Sequence, residues 1–375
     1  MATLSSLFNQ DSAVRALRRA LESNCLPGTY LFVGTTGVGK GALARAFAQA
    51  ATCLDPRHDP FDACGGCESC RRIEAGTQPE IITFLPAGEQ MQIWQFWDRD
   101  NRPASGVLSH TLFYAPNIGK RRVYILEKAD TLTESAANSL LKVLEEPPPY
   151  VLFLLLAPHP ARMLPTIVSR CQMIRLSAVP VETLAAYLRD TVGLEAGRAA
   201  MLAAYAEGRV GQAMQLAQNP AVGEEIARVL DFAESLPEAP RVRALKLAEQ
   251  MRKLAGQIKA LVGEEPTATP ESAASEEGEA GTASPKERAG RRQLAAVFDL
   301  LVAFYRDLLA LRVGGQGAQN IVNRERAVRL TRLAQAGEPE RWVSCLDALL
   351  LARRRLDANA NIALVTEVLV MTLVR

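Results

Sequence analysis

A chain of 375 residues is too long for one ordinary hydrophobic core and is expected to divide into two or three domains. With Lys+Arg 43 against Asp+Glu 41, it is not a generally cationic protein, which leaves any nucleic-acid contact to one basic face or to a larger complex. The opening residues lack the uninterrupted apolar run of a secretory signal, and no later run approaches the roughly 20 apolar residues of a membrane span, so a cytoplasmic protein with no membrane contact is expected.

The first half alternates helical patterns with four short apolar runs, TYLFVG, EIITFL, RVYILE and VLFLLLA. Runs of that length, separated by helical segments, predict buried strands of a parallel sheet in an α/β fold. From about residue 177 the strand-like runs stop, and VETLAAYLRDTVG, RAAMLAAYAEG and VGQAMQLAQ carry helical periodicity punctuated by glycine. A further helical region begins near residue 220. It is interrupted at 263–290, where Glu, Ser, Ala, Pro and Gly dominate without large apolar side chains, and this stretch is expected to be a disordered insertion. Helices are expected to resume near Arg291 and run to the end.

Between the first apolar run and the helix after it stands GTTGVGK, a phosphate-binding loop in the right setting of strand, loop and amphipathic helix. Gly34, Gly37 and Gly39 would let the backbone cradle phosphates, and Lys40 would reach the β and γ oxygens of ATP. Gly41, however, stands where such a loop needs the Ser or Thr hydroxyl that ligates Mg²⁺.

Four of the seven cysteines fall between positions 53 and 70, which in a reducing compartment favours metal over disulfides. Cys64, Cys67 and Cys70 form two overlapping C-x₂-C spacings, and Cys53 can complete a Cys₄ site for structural zinc, with His58 as the other candidate fourth ligand. Cys25, Cys171 and Cys345 are expected to be small core residues. MQIWQFWDRD, around Trp94 and Trp97, suggests packing in the core or against a partner, and Arg353, Arg354 and Arg355 suggest a solvated helix face.

The stretch ESAANSLLKVLEEPPPYVLFLLLAPHPARMLPTIVSRCQ resembles the bacterial clamp-loader AAA+ subunits of DNA polymerase III, which carry N-x-L-L-K-x-L-E-E-P-P, then a strand, then S-R-C. Asn138, Leu140, Leu141, Lys142, Leu144, Glu145, Glu146, Pro147, Pro148, Ser169, Arg170 and Cys171 match, and with AGTQPE the likeness covers roughly residues 5–178. It implies an AAA+ nucleotide-binding-like domain at 1–178 with a zinc module at 53–70, a helical lid at 179–219 and an all-α collar at 220–375. The ending LDANANIALVTEVL is similar to the family's collar motif, so part of the apolar stripes there should lie between subunits. The family's zinc module usually has eight residues between its first two cysteines, and here ten intervene.

Aligned on that motif, the motor subunits' metal-binding Asp falls on Glu127 and their catalytic Glu on Lys128, which cannot orient an attacking water. The polar sensor at the end of the fourth apolar run is replaced by Ala157 and Pro158, and the sensing arginine of the lid by Gly211, with Arg209 two residues earlier as a candidate partial substitute. Together with Gly41, these losses resemble the non-hydrolysing member of the family, and they leave nucleotide binding itself open. The surviving Arg170, within Ser169-Arg170-Cys171, would then be an arginine finger serving a neighbour's site in trans. Implied partners are the gamma/tau motor subunits, the delta subunit, the sliding clamp and, within the complex, primed DNA. The alternative is an ATP-hydrolysing gamma/tau-type motor; a free-standing AAA+ protein of recombination or chromatin remodelling fits the zinc module and collar-like ending less well.

Overall fold

The computed structural model describes residues 3–23, 26–58, 60–88, 90–98, 106–262, 285–314 and 321–375. Contacts divide these into two units, one holding residues to Val179 with Gly208–Gln212, the other Pro180–Glu207 and the described residues from Ala213 on.

The first unit is built on a five-stranded, all-parallel sheet. In chain order its strands are β1 (Thr29–Val33), β4 (Ile81–Phe84), β5 (Arg122–Leu126), β6 (Val151–Ala157) and β7 (Gln172–Arg175), while β2 (Arg57–His58) and β3 (Phe61–Asp62) form a separate antiparallel hairpin. Spatially the order is β4-β5-β6-β1-β7, which brings the strand before the phosphate loop beside β6. Every residue of β1, β5 and β6 is buried because these central strands are covered on both faces, and burial falls off in β4 and β7 at the edges. Side chains alternate between two cores. Tyr30, Phe32 and Leu154 pack with Leu17 of α1 (Asp11–Glu22) and Phe47 of α2 (Lys40–Thr52). On the other face, Leu31, Tyr124, Phe153 and Leu155 pack with residues of α4 (Val107–Thr111), α5 (Glu134–Glu145) and α6 (Pro165–Val168).

The parallel sheet and its flanking helices are the α/β arrangement expected from the sequence. Two elements were not: β7 and the β2–β3 hairpin. Only Ile174 of β7 is buried, so QMIR carries almost no apolar signal and becomes a strand by pairing with β1 from Tyr30↔Gln172 to Val33↔Arg175. The tryptophan-containing segment is a packing element. Phe96 is fully buried, and the Trp97 indole donates to Ser139 Oγ at 3.0 Å on α5. A buried ion pair secures the edge near β4, where Arg122 Nη2 lies 2.7 Å from Glu80 Oε2 and Asn117 N donates to Glu80 Oε1 at 2.7 Å.

The second unit is helical: α7 (Val181–Asp190), α8 (Ala196–Tyr205), the later residues of α9 (Val210–Gln218), α10 (Val222–Ser235), α11 (Ala244–Gln257), α12 (Pro285–Val313), α13 (Ala327–Gln335), α14 (Pro339–Asp357) and α15 (Ile362–Leu373). Trp342, Tyr305 and Phe304 form the centre of its core. Buried carboxylates fix its turns: Glu225 accepts from the backbone N–H groups of Lys259, Ala260 and Leu261, and Asp307 from those of Val322 and Asn323. Arg353 pairs with Asp299 and Asp357, as a solvated helix face would. On α15, Leu364, Val368 and Met371 lie exposed at helical spacing while Val365, Leu369 and Leu373 are buried on the opposite side.

The expected disordered insertion at 263–290 needs correction at its end. Residues 263–284 lie outside the described residues, but α12 begins at Pro285, so 285–290 are helical rather than inserted loop. Proline at the first helical position and Glu287 in the first turn are favourable starting residues, and the Arg and Ala that follow are good helix formers.

Candidate functional site

The phosphate loop runs from the end of β1 into α2, whose first residue is Lys40. Gly37 and Gly39 adopt φ of 84° and 110°, a region in which a side chain is strained, so both glycines serve the loop's shape. Gly34 is needed for a different reason, since a Cβ there would stand 2.6 Å from the Leu176 carbonyl oxygen. Lys40 Nζ donates to the carbonyls of Gly34 at 2.6 Å and Thr35 at 3.0 Å. Burial lowers its pKa, partly offset by the nearby Asp130. Asp130 Oδ1 is buried without a hydrogen-bond partner among the described residues.

The loop therefore keeps its shape and its lysine, but its surroundings do not suit Mg²⁺. Gly41 offers no hydroxyl, and a Cβ at that position would meet Arg45 Nη1 at 3.3 Å. The same Nη1 lies 3.5 Å from Glu127 Oε1, so a guanidinium borders the two positions from which a hydrolysing site holds its metal. Lys128 is exposed and left-handed at φ 56°, opening the short turn Ala129–Thr131 directly after β5. A cation there adds repulsion toward a divalent metal. Ala157, at the end of β6, is buried and presents no polar group.

Residue 211 faces the loop. Gln212 N donates to the Gly37 carbonyl at 3.1 Å, and a Cβ on Gly211 would lie 2.9 Å from that same oxygen. Gly211 is thus a point of close backbone approach, where an arginine side chain would not fit without displacing the phosphate loop. Arg209 is half-buried two residues earlier.

Arg170 sits elsewhere in the unit, at the junction of α6 and β7. Its Nη1 donates to the Thr166 carbonyl at 2.9 Å and its Nη2 to Glu145 Oε2 at 3.1 Å. About 31 % of the side chain is exposed, although Nε is buried and unpaired among the described residues. Ser169 Oγ donates to the Thr166 carbonyl. Cys171 Sγ donates to the Ile167 carbonyl, and burial pushes this thiol up to about 12, so it packs and does not react. Cys345 is likewise buried, whereas Cys25 lies outside the described residues.

The cysteines converge. Cys53 follows α2 directly, Cys64 follows the β2–β3 hairpin, and Cys67 caps α3 (Glu68–Glu74), whose first turn carries Cys70. Their four sulfurs lie within 4.8 Å of one another, with Cys53 to Cys67 at 3.8 Å and Cys53 to Cys70 at 3.7 Å. Zn–S bonds of about 2.3 Å in a tetrahedron give sulfur separations of about 3.8 Å, so the residues fit zinc. Backbone N–H groups of Cys64, Gly66, Cys67 and Cys70 point at the sulfurs of Cys53, Cys64, Cys64 and Cys67 respectively, as thiolate ligands require. Burial pushes Cys53 and Cys70 up, whereas for Cys67 burial is outweighed by backbone hydrogen bonds from Cys70 and Leu54, which bring it to about 6. The His58 side chain lies outside the described residues. Asp62, one residue before Ala63, ties the hairpin to the N-terminal turn by accepting from Leu4 N and Ser5 N.

A family model described as DNA polymerase III, delta subunit, matches residues 9–180. The delta-prime subunit of DNA polymerase III from Bacillus subtilis is 27 % identical over 367 residues, covering 97 % of this chain and 96 % of that protein. Both matches are to subunits of DNA polymerase III. The tau/gamma subunit from Haemophilus influenzae is 32 % identical over 57 % of this chain, which spans only 30 % of that relative's length. A solved gamma subunit-related protein from Thermotoga maritima is similar with a TM-score of 0.40 and 14 % identity, over 91 % of this chain and 99 % of that one.

Several features of the site carry no signal in the sequence. The Arg45 to Glu127 pair joins α2 to the end of β5, and the Lys40 and Asp130 charges meet across the same gap; both depend on the strand order. Glu145 is part of the matched motif, but nothing in the motif indicates that it pairs with Arg170.

Proposed function

We propose that this chain is a delta-prime subunit of a DNA polymerase III clamp loader, an accessory AAA+ subunit without ATP hydrolysis of its own. It completes the loader and presents Arg170 to the adjoining gamma/tau motor subunit, so that the sliding clamp is opened and placed on primed DNA during replication in the cytoplasm. Gly34, Gly37, Gly39 and Lys40 then serve as retained fold, and Cys53, Cys64, Cys67 and Cys70 hold a structural zinc. The fully cysteine ligand set leaves no open position for catalysis. Residues 1–178 form the nucleotide-binding-like domain, 179–219 the lid and 220–375 the collar that joins the other subunits. The exposed Leu364, Val368 and Met371 stripe suits such a collar contact.

The observation that carries this reading is Lys128 at the end of β5, where a motor needs the glutamate that prepares water. Its neighbour Glu127 is paired to Arg45, which supports the same conclusion. The motor reading draws on the tau/gamma likeness over 57 % of the chain, but it requires a base that Lys128 cannot supply. The likeness to delta-prime extends instead over 97 % of the chain, the helical C-terminal unit included.

Reconstitution tests it. Motor and delta subunits with this chain should load the clamp onto primed DNA, and omission of this chain should cut loading by more than tenfold. Equal loading without it would remove the proposed role.

A further inference from the structure

Arg170 is held from both sides within its own unit. One terminal nitrogen donates to the carbonyl of Thr166 at 2.9 Å, and the other to Glu145 Oε2 at 3.1 Å. Nε is buried, so an anion arriving from outside meets the terminal nitrogens. Each of these carries two N–H groups and can bond an anion while keeping its present partner. A free arginine side chain samples many rotamers, and fixing it beforehand removes that entropy from the step in which it is used.

Glu145 is placed against local preference. It is the last residue of α5 and is followed by Glu146, so two carboxylates stand at the negative end of a helix, where cations are favoured. Lys142 lies in the same last turn, yet the recorded partner of Glu145 is Arg170, 25 positions away in sequence. Local rules broken without a local gain point to a functional constraint.

We infer that Glu145 is a positioning residue for Arg170: with the Thr166 carbonyl, its carboxylate fixes the guanidinium so that its remaining N–H groups are presented to the phosphates of a neighbouring subunit's nucleotide. The inference rests on the reading of Arg170 as a finger acting in trans. Glu145 makes no contact with nucleotide and acts through the arginine alone.

A loader reconstituted with motor and delta subunits tests it, using this chain as wild type, Glu145→Ala, Glu145→Gln, Arg170→Ala and the double variant Glu145→Ala/Arg170→Ala. Glu145→Ala should lower clamp- and DNA-stimulated kcat about tenfold with KM for ATP unchanged, since misplacement of a group used in the transition state shows in kcat. Glu145→Gln keeps an acceptor oxygen and the side-chain shape, and should fall between wild type and Glu145→Ala. The double variant should be no slower than Arg170→Ala, because a residue acting only through Arg170 has nothing left to position. Wild-type turnover in Glu145→Ala, with Arg170→Ala impaired, would overturn the inference and leave the finger reading standing. A double variant slower than Arg170→Ala would also overturn it. Wild-type turnover in Arg170→Ala would instead remove the finger reading on which the inference depends. Elution of each complex at the wild-type size guards against loss of assembly.

Discussion

Replacing Arg170 with alanine in an assembled loader should lower hydrolysis at the adjoining motor site by about 10³-fold, the low end of what arginine fingers supply. The chain itself should be unharmed. Arg170 is about 31 % exposed, and its pair with Glu145 is a surface ion pair, worth at most about 1 kcal/mol to stability. Folding and assembly should thus match the wild type, separating a chemical defect from a structural one. Clamp loading on primed DNA should fall with hydrolysis. Arg170→Lys should not rescue it, because an ammonium lacks the planar fork that spans phosphate oxygens. Unchanged stimulated hydrolysis in an intact Arg170→Ala complex would make this arginine a structural residue.

Zinc should account for the second large effect. The four sulfurs form a satellite cluster at the end of α2, the helix that begins at the phosphate loop, with Ala63 as the buried apolar companion among the described residues. Besides the sulfurs, Asp62 ties the hairpin to the N-terminal turn, and Ser69 of α3 donates to Thr52 Oγ1 at the end of α2. Elemental analysis should find close to one zinc per chain. Structural zinc contributes about 10 kcal/mol or more in small zinc-binding peptides, so Cys53→Ser or chelation should lower the melting temperature by about 10 °C or more, even though the sheet core remains. Binding needs thiolates, so affinity should fall as pH falls. Cys67, at about 6, is the readiest thiolate, whereas Cys53 and Cys70 are raised by burial and require the metal's charge to lose their protons. A folded, metal-free chain with an unchanged melting temperature would refute the Cys₄ assignment.

How much of this was legible depended on whether the signal was local. The apolar runs of β1, β5 and β6 announced their strands because burial on both faces demands unbroken hydrophobicity, and EIITFL announced β4 although that strand lies at an edge and buries only Phe84. The edge strand β7 has no such demand, and its pairing with β1 decided it. Cysteine spacing indicated the cluster, since C-x₂-C is a local geometry, while closure by Cys53 needed the fold to bring the end of α2 to the hairpin. Gly41 and Lys128 could be read by position in a motif. By contrast, the motif shows at Gly211 only that an arginine is absent, and the close approach to the Gly37 carbonyl that excludes a side chain there is a tertiary fact. The start of α12 was misjudged because composition averages over a window, and Pro285 marks a helix start inside a stretch that is polar as a whole.

The central claim is that this chain hydrolyses no ATP itself. Steady-state phosphate release by the purified full-length chain, with Mg²⁺ and ATP in excess and with primed DNA present, tests it most directly. The expected rate equals the protein-free background, because Gly41 offers no hydroxyl to the metal and Lys128 cannot act as the base. Turnover on the order of 1 per second or faster, within the usual range for enzymes, would contradict it.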